Sequence, residues 1–175
     1  LRILFVLISF SVAAQVDSTE IEKYRANYIV ETVKEFPGLQ QEFYPINQKF
    51  NVEAKYKIKK SGKVISVPTS SEKIKDFQEY AILKFKIDGK THELTVYQPM
   101  PISPLYKNHL FLPLKDLTAP LDSYGGGRYM DLSTKDFRGK KVQLDLNKLY
   151  NPYCAFSDGW SCPVPPKNNQ LNLRI

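Results

Sequence analysis

Histidine, cysteine and tryptophan are scarce in this chain: of 175 residues, two are His, two are Cys and one is Trp. A structural zinc site takes four nitrogen or sulfur ligands. Here all four would have to be His92, His109, Cys154 and Cys162, which lie far apart in the sequence. A Cys–His nucleophile would need the same remote histidines. Also missing are a G-x-S-x-G elbow, an H-E-x-x-H helix, a P-loop lysine–serine pair and a C-x-x-C. The chain therefore carries none of the short motifs of acyl transfer, zinc proteolysis, nucleotide binding or dithiol exchange. No metal and no other cofactor is expected. Gly125-Gly126-Gly127 is not read as a phosphate cradle, because the residues after it alternate like a strand instead of opening a helix. It reads as a tight turn or bulge where another backbone passes closely.

Long apolar runs are lacking too, with one exception. Leu1 to Phe10 is interrupted only by Arg2 and Ser9, well short of the ~20 apolar residues that span a bilayer. Val12 and Ala14 then stand at the −3 and −1 positions before Gln15. Residues 1–14 are expected to be a secretory signal peptide and residues 15–175 a single globular domain, periplasmic or secreted. The residue directly after the expected cleavage point is Gln15 and not Cys, so no lipid anchor is expected, and no transmembrane segment. The net charge of +7 becomes +6 once Arg2 leaves with the signal. The basic residues are mostly lysines spread along the chain, as on a solvated face, and no nucleic-acid partner is expected. The oligomeric state is not legible.

Periodicity, by contrast, is plain. Ile21, Tyr24, Tyr28, Thr32 or Val33 and Phe36 recur at helical spacing. Thr19 and Glu22 form a capping-box signature, and Pro37-Gly38 is a stop. These signals predict an amphipathic helix over 19–36. The period then changes to two: Phe50, Val52, Ala54, Tyr56 and Ile58 alternate with Asn51, Glu53, Lys55, Lys57 and Lys59, one face inward and one wet. Asp88-Gly89 is a type I′ hairpin signal. Folding about it sets Phe85 opposite His92, Leu83 opposite Leu94 and Ala81 opposite Val96. The other face pairs Lys84 with Glu93 and Lys86 with Thr91. Further strands are predicted at 109–114, 128–132, 141–146 and 171–175. Pro99, Pro101, Pro104, Pro113 and Pro120 are assigned to loops or edges. The fold class is mainly β (α+β): an antiparallel β-barrel or sandwich of about seven strands with an N-terminal amphipathic helix.

The polar residues of interest gather late in the chain: Arg128, Tyr129, Asp131, Asp145, Asn147, Asn151 and Asn169. Arg128 and Asp131 stand on opposite faces of one short strand, so they need not meet. Two readings of the group stay open. An Arg–Asp pair and asparagine side chains pin the long C-terminal loop through its backbone, or they line a polar pocket walled by Tyr124, Tyr129 and Tyr150. Cys154 and Cys162 are expected to form a disulfide, which needs only the oxidising compartment already inferred. It would restrain the irregular, Pro-rich stretch 150–170.

Certain motifs resemble a known family. They are Tyr124-Gly125-Gly126-Gly127-Arg128-Tyr129-Met130-Asp131-Leu132, Leu144-Asp145-Leu146-Asn147-Lys148-Leu149-Tyr150-Asn151-Pro152-Tyr153-Cys154, and Ser161-Cys162-Pro163-Val164-Pro165-Pro166. With Phe111 to Thr118 and Glu42 to Ile46, they resemble the bacterial family catalogued as domain of unknown function 1684, over nearly all of the expected mature chain. The resemblance implies a small domain without established activity. It also implies Phe in place of Leu146, Glu in place of Asn168, and a chain continuing past Ile175 with Ala-Gly-Glu. The functional expectation is non-enzymatic binding of a small molecule or cell-envelope component around Arg128, Asp131 and Asn151. The alternative is a hydrolase acting on an envelope glycan or ester, with Asp131 and Asp145 as paired carboxylates.

Overall fold

The computed structural model describes residues 18–175; the expected signal peptide lies outside the described residues. Helix α1 (Ser18–Glu35) buries Ile21 and Thr32 and ends at Pro37-Gly38, where Gly38 adopts a φ of +86°. Seven strands come next: β1 (Asn51–Ile58), β2 (Val64–Pro68), β3 (Ile74–Ile87), β4 (Lys90–Met100), β5 (His109–Leu114), β6 (Arg128–Ser133) and β7 (Lys141–Asp145). All pair antiparallel in one sheet of order β6-β5-β4-β3-β1-β7, with β2 beside the first half of β3. The sheet curls into a half-barrel, and no ladder joins β6 to β7.

The β3–β4 hairpin has the expected register, with Phe85↔His92, Leu83↔Leu94, Ala81↔Val96, Lys84↔Glu93 and Lys86↔Thr91 as partners. Asp88 and Gly89 have φ of 50° and 74°, the left-handed pair that a type I′ turn requires. Inward residues of all strands but β2 fill one core, including Ala54, Leu83, Val96, Leu112, Met130 and Leu144. A smaller cluster of Val67, Phe77, Tyr97, Phe111 and Tyr129 packs outside it.

Three expectations need correction. The segment 171–175 is not a strand of the sheet. Its burial alternates, with Leu171 and Ile175 buried, which imitates a strand. Its backbone, however, bonds 115–117, where the chain has already left β5: Leu171 N donates to Lys115 O and Leu117 N to Leu173 O. The seventh strand is instead β2, a short Val-Ile-Ser-Val-Pro segment. Pro99 and Pro113 are not in loops: Pro99 pairs with Phe77 in β4, and Pro113 pairs with Tyr129 in β5.

Pro113 has no N–H to give a ladder, and at that level a side chain bridges β4 and β5. Asn169 Oδ1 accepts Thr95 N at 2.7 Å, and its Nδ2 donates to Thr95 O at 2.8 Å and Pro113 O at 2.7 Å. Asn169 is wholly buried. The 3-10 turn 167–169 is thereby stitched into the sheet in place of ladder bonds. Gly127 marks another close approach: its φ is +90°, and a Cβ would lie 2.7 Å from both Leu114 O and Pro165 Cγ. The triple-glycine turn is a passage for neighbouring chain, as its sequence context implies.

Candidate functional site: an aromatic trough beside Asp131

β6 sends its candidate residues in two directions. Arg128 points inward and is buried, while Asp131 is exposed. The partner of Arg128 is Asp116, 3.0 Å from its Nη2, with side chains only 7 % and 1 % exposed. The same Nη2 donates to the Ile175 main-chain oxygen at 2.7 Å, and Asp116 Oδ2 accepts Ile175 N at 2.7 Å. Arg128 thus pins the C-terminal segment, through an acid that the sequence reading did not single out. Asp145 and Asn147 form a second clip. Asp145 Oδ1 accepts both Asn147 N at 3.1 Å and Asn147 Nδ2 at 2.7 Å. Asn147 Oδ1 accepts Asn47 N, its Nδ2 donates to Asn47 O, and its carbonyl takes two bonds from Arg25 of α1.

Asp131 is the fork of a different cluster. In the β5–β6 register Phe111 faces Asp131 and His109 faces Ser133, so His109 and Asp131 are diagonal neighbours on one face. His109 Nε2 lies 2.8 Å from Asp131 Oδ1, and Tyr150 OH donates to Asp131 Oδ2 at 2.8 Å. Tyr150 is held there by a two-way backbone bridge to Tyr129, 2.9 Å in each direction. The bond to Asp131 raises the His109 pKa above its ordinary value, outweighing the opposing effect of burial. Burial, and then the Asp131 charge, push the Tyr150 phenol well above its usual range. It remains a protonated donor.

Beside this fork lies an open trough of about 380 Å³, walled by Tyr28, Tyr129, Tyr150, Tyr153 and Trp160, with Lys75 and Asp131 at its edges. Each ring is fixed from behind. Tyr129 OH donates to Pro163 O and Tyr28 OH to Asn151 O, both at 2.6 Å. Tyr28 lies against Tyr150 with centroids 4.6 Å apart. Tyr153 and Trp160 meet edge to face at 4.8 Å, and Phe36 just past the end of α1 backs both. The sulfurs of Cys154 and Cys162 are within bonding distance, their Cα atoms 6.2 Å apart. They bracket the loop that carries Trp160. Ser70 ties that loop to the β2–β3 turn: Ser70 N donates to Cys162 O and Cys162 N to Ser70 Oγ.

The structure therefore brings together Tyr129, Asp131, Tyr150 and the cysteine loop. Arg128, Asp145, Asn147 and Asn169 sit in hydrogen-bonded clips, and Asn151 borders a second cavity with Arg128, on the other side of Tyr150, which lines both. Asp131 and Asp145 also share a cleft of about 360 Å³ between β6 and β7, with Glu20, Gln143 and Lys148. His109, Trp160, Lys75 and Asp116 were not picked out by sequence reasoning. Pairing the two strands predicted at 109–114 and 128–132 as a hairpin would have set His109 beside Asp131. Among the described residues, no group of three or more His, Cys, Asp or Glu is placed to hold a metal. None of the described helices is long and apolar enough to cross a membrane.

A curled antiparallel half-barrel with a braced aromatic trough defines the class. The chain belongs to the family of proteins of unknown function DUF1684, whose match spans residues 34–175. It is similar to the solution NMR structure of an uncharacterized protein from gene locus rrnAC0354 of Haloarcula marismortui. The two are 26 % identical, with 90 % of this chain and 94 % of that chain covered and a TM-score of 0.64. No curated protein matches the chain.

Proposed function

We propose that this protein is an exported, non-enzymatic binding domain that takes a sugar ring of a cell-envelope glycan, or a small molecule of the same chemistry, in the trough beside Asp131. The observation that carries this reading is the trough itself: five braced aromatic rings line it together with a single carboxylate, Asp131, which Tyr150 bonds. Such a surface suits a ligand with an apolar face and a hydroxylated edge. The rings cover the face, and a few placed polar groups fix its orientation. Asp131, already accepting from His109 and Tyr150, keeps lone pairs for ligand hydroxyls, since an ionised carboxylate offers about four acceptor sites. Lys75 and Ser161 also line the trough and carry donor groups. The close pair of cysteines fits an oxidising compartment, which supports a periplasmic or secreted location for residues 15–175.

The competing hydrolase reading, with Asp131 and Asp145 as acid and base on an envelope glycan or ester, draws support from the cleft they share. It is weaker because Asp145 is buried and its Oδ1 is taken up by Asn147.

Trp160 is the chain's single tryptophan and reports on the trough directly. Titration with envelope glycan fragments is expected to shift and saturate its fluorescence. Asp131→Asn and Tyr153→Ala should each weaken binding by about tenfold or more, roughly 1.4 kcal/mol, at little cost in melting temperature. Release of reducing ends or free acid during incubation, abolished in Asp145→Asn, would favour the hydrolase instead. A Trp160 signal indifferent to every saccharide would remove the proposal.

A further inference from the structure

The geometry points to a phosphate-binding site on the outer face of the sheet, where lysines from three neighbouring strands stand in one row. Its ligand carries a phosphomonoester or a diphosphate, a compact group with more than one negative charge. None of the residues that line this site lines the trough, so the two readings stand or fall separately.

The row follows from register. Lys55 of β1 is the direct cross-strand partner of Lys84 in β3 and of Lys141 in β7. Strand alternation turns all three outward: their sequence neighbours Ala54, Leu83, Phe85 and Val142 belong to the core, while the lysines themselves are exposed. Neighbouring strands lie ~4.8 Å apart, so the three side chains rise from within roughly 10 Å of backbone. Like charges set directly opposite one another destabilise a sheet. The adjoining pairs avoid that arrangement: Lys84 also faces Glu93, Lys86 faces Thr91, and Glu53 faces Gln143. A neutral residue at position 55 would serve the strand as well, and a local rule broken without structural gain marks a functional place.

Charge selects the ligand. Lys55, Lys84 and Lys141 line a cavity of about 450 Å³ together with Glu53, Lys86 and Thr91. Lys84 is paired with Glu93, and Lys141 with Glu53. Lys55 and Lys86 have no ion-pair partner among the described residues, which leaves two positive charges unmatched. A carboxylate would balance one of them. A phosphomonoester carries about −1.5 to −2 at neutral pH, and a diphosphate at least as much. The several oxygens of such a group accept from ammonium groups that arrive from different strands, each a compact charge with three donors. The Thr91 hydroxyl adds an uncharged donor to the wall.

Pyrophosphate is the probe, titrated into the full chain at low ionic strength and followed by calorimetry and lysine side-chain NMR shifts. It is expected to saturate the site. Dimethyl phosphate, the same chemistry with a single charge, should bind at least about tenfold more weakly, ~1.4 kcal/mol. Lys55→Gln and Lys86→Gln should each weaken pyrophosphate by about fivefold or more, ~1 kcal/mol. Lys107→Gln, which removes the same charge from the β4–β5 loop, should change it by less than about twofold, since screened charges act only at short range. Without ligand, Lys55→Gln should melt at or above the wild-type temperature, because it relieves the repulsion within the row. A vesicle arm identifies what bears the group. Retention on phosphatidylcholine vesicles containing phosphatidic acid, but not on phosphatidylcholine alone, assigns a lipid headgroup; saturation by pyrophosphate without retention assigns a free ligand. No saturation by pyrophosphate at millimolar concentration, equal binding of dimethyl phosphate, undiminished binding in Lys55→Gln, or an equal loss in Lys107→Gln overturns the proposal and leaves the row a solvated face.

Discussion

Replacing Asn169 by alanine removes the side chain that joins β4 to β5 at the level of Pro113. Three bonds of 2.7–2.8 Å disappear at a position with no solvent exposure. Thr95 N–H is left without its acceptor, which costs about 1–3 kcal/mol for a buried donor. The two carbonyls lose one of their acceptances each and suffer less, since each keeps a second lone pair. The small void adds a further fraction of the cost of a large-to-small change. The sum is about 3–5 kcal/mol, a large part of the 5–15 kcal/mol typical of a whole domain. With a urea slope of about 2 kcal/mol/M, the unfolding midpoint falls by roughly 2 M. Hydrogen exchange locates the effect: the Thr95 amide should lose protection by orders of magnitude while core β3 amides track the global loss only. Asn169→Asp is the discriminating control. It conserves shape and the bond from Thr95 N, but turns a charged oxygen toward two carbonyls, so it should be at least as damaging as alanine. An unfolding free energy within about 0.5 kcal/mol of wild type for alanine, the scatter of surface substitutions, would refute the bridging role.

The other structural clips give sharper contrasts. Arg128→Ala strands buried Asp116 and should cost about 3–5 kcal/mol, the usual penalty for breaking a buried pair; denaturant melts check it. Reducing Cys154–Cys162, or changing both to serine, opens a loop whose ends are eight positions apart. The expected loss is about 2.5 kcal/mol in the chain-entropy treatment, together with weaker trough binding because Trp160 rides on that loop. Thiol titration of unreduced protein should find none free. The His109 pKa is raised in the folded state by Asp131. The stabilisation it brings is therefore complete below the unfolded value of about 6.5 and is lost as pH rises through the folded value. His109→Gln should flatten the melting-temperature profile in that window; a profile unchanged from wild type would contradict the pairing.

Local features are the legible ones in this sequence. The Asp88-Gly89 hairpin announces itself because the turn chemistry and the alternation on both faces agree on one register. The strand at 109–114 appears with its observed bounds because apolar residues run through it between polar ends. β2 escapes notice since Val64 to Pro68 is five residues long and ends in proline, and its pairing partner, the first half of β3, is Lys-, Asp- and Gln-rich. The alternation of Leu171, Leu173 and Ile175 is real burial, but burial against a loop instead of a strand. For the candidate site, the opposite orientations of Arg128 and Asp131 arise from strand periodicity alone. That Asp116 holds Arg128, and that Asn169 replaces a ladder, depends on where 115–117 and 167–169 travel after leaving the sheet. No local pattern encodes that path. The trough is equally non-local, since Tyr28, Tyr129 and Trp160 come from a helix, a strand and a loop.

The central claim is that the trough beside Asp131 is where a glycan sits. Titrating isotope-labelled protein with envelope glycan fragments, while monitoring aromatic and backbone NMR resonances, tests it most directly. Saturable shifts centred on Tyr28, Tyr150, Tyr153 and Trp160 are predicted, with the His109 ring moving through its bond to Asp131. Shifts that cluster elsewhere on the half-barrel, or the absence of any saturable shift, would contradict it.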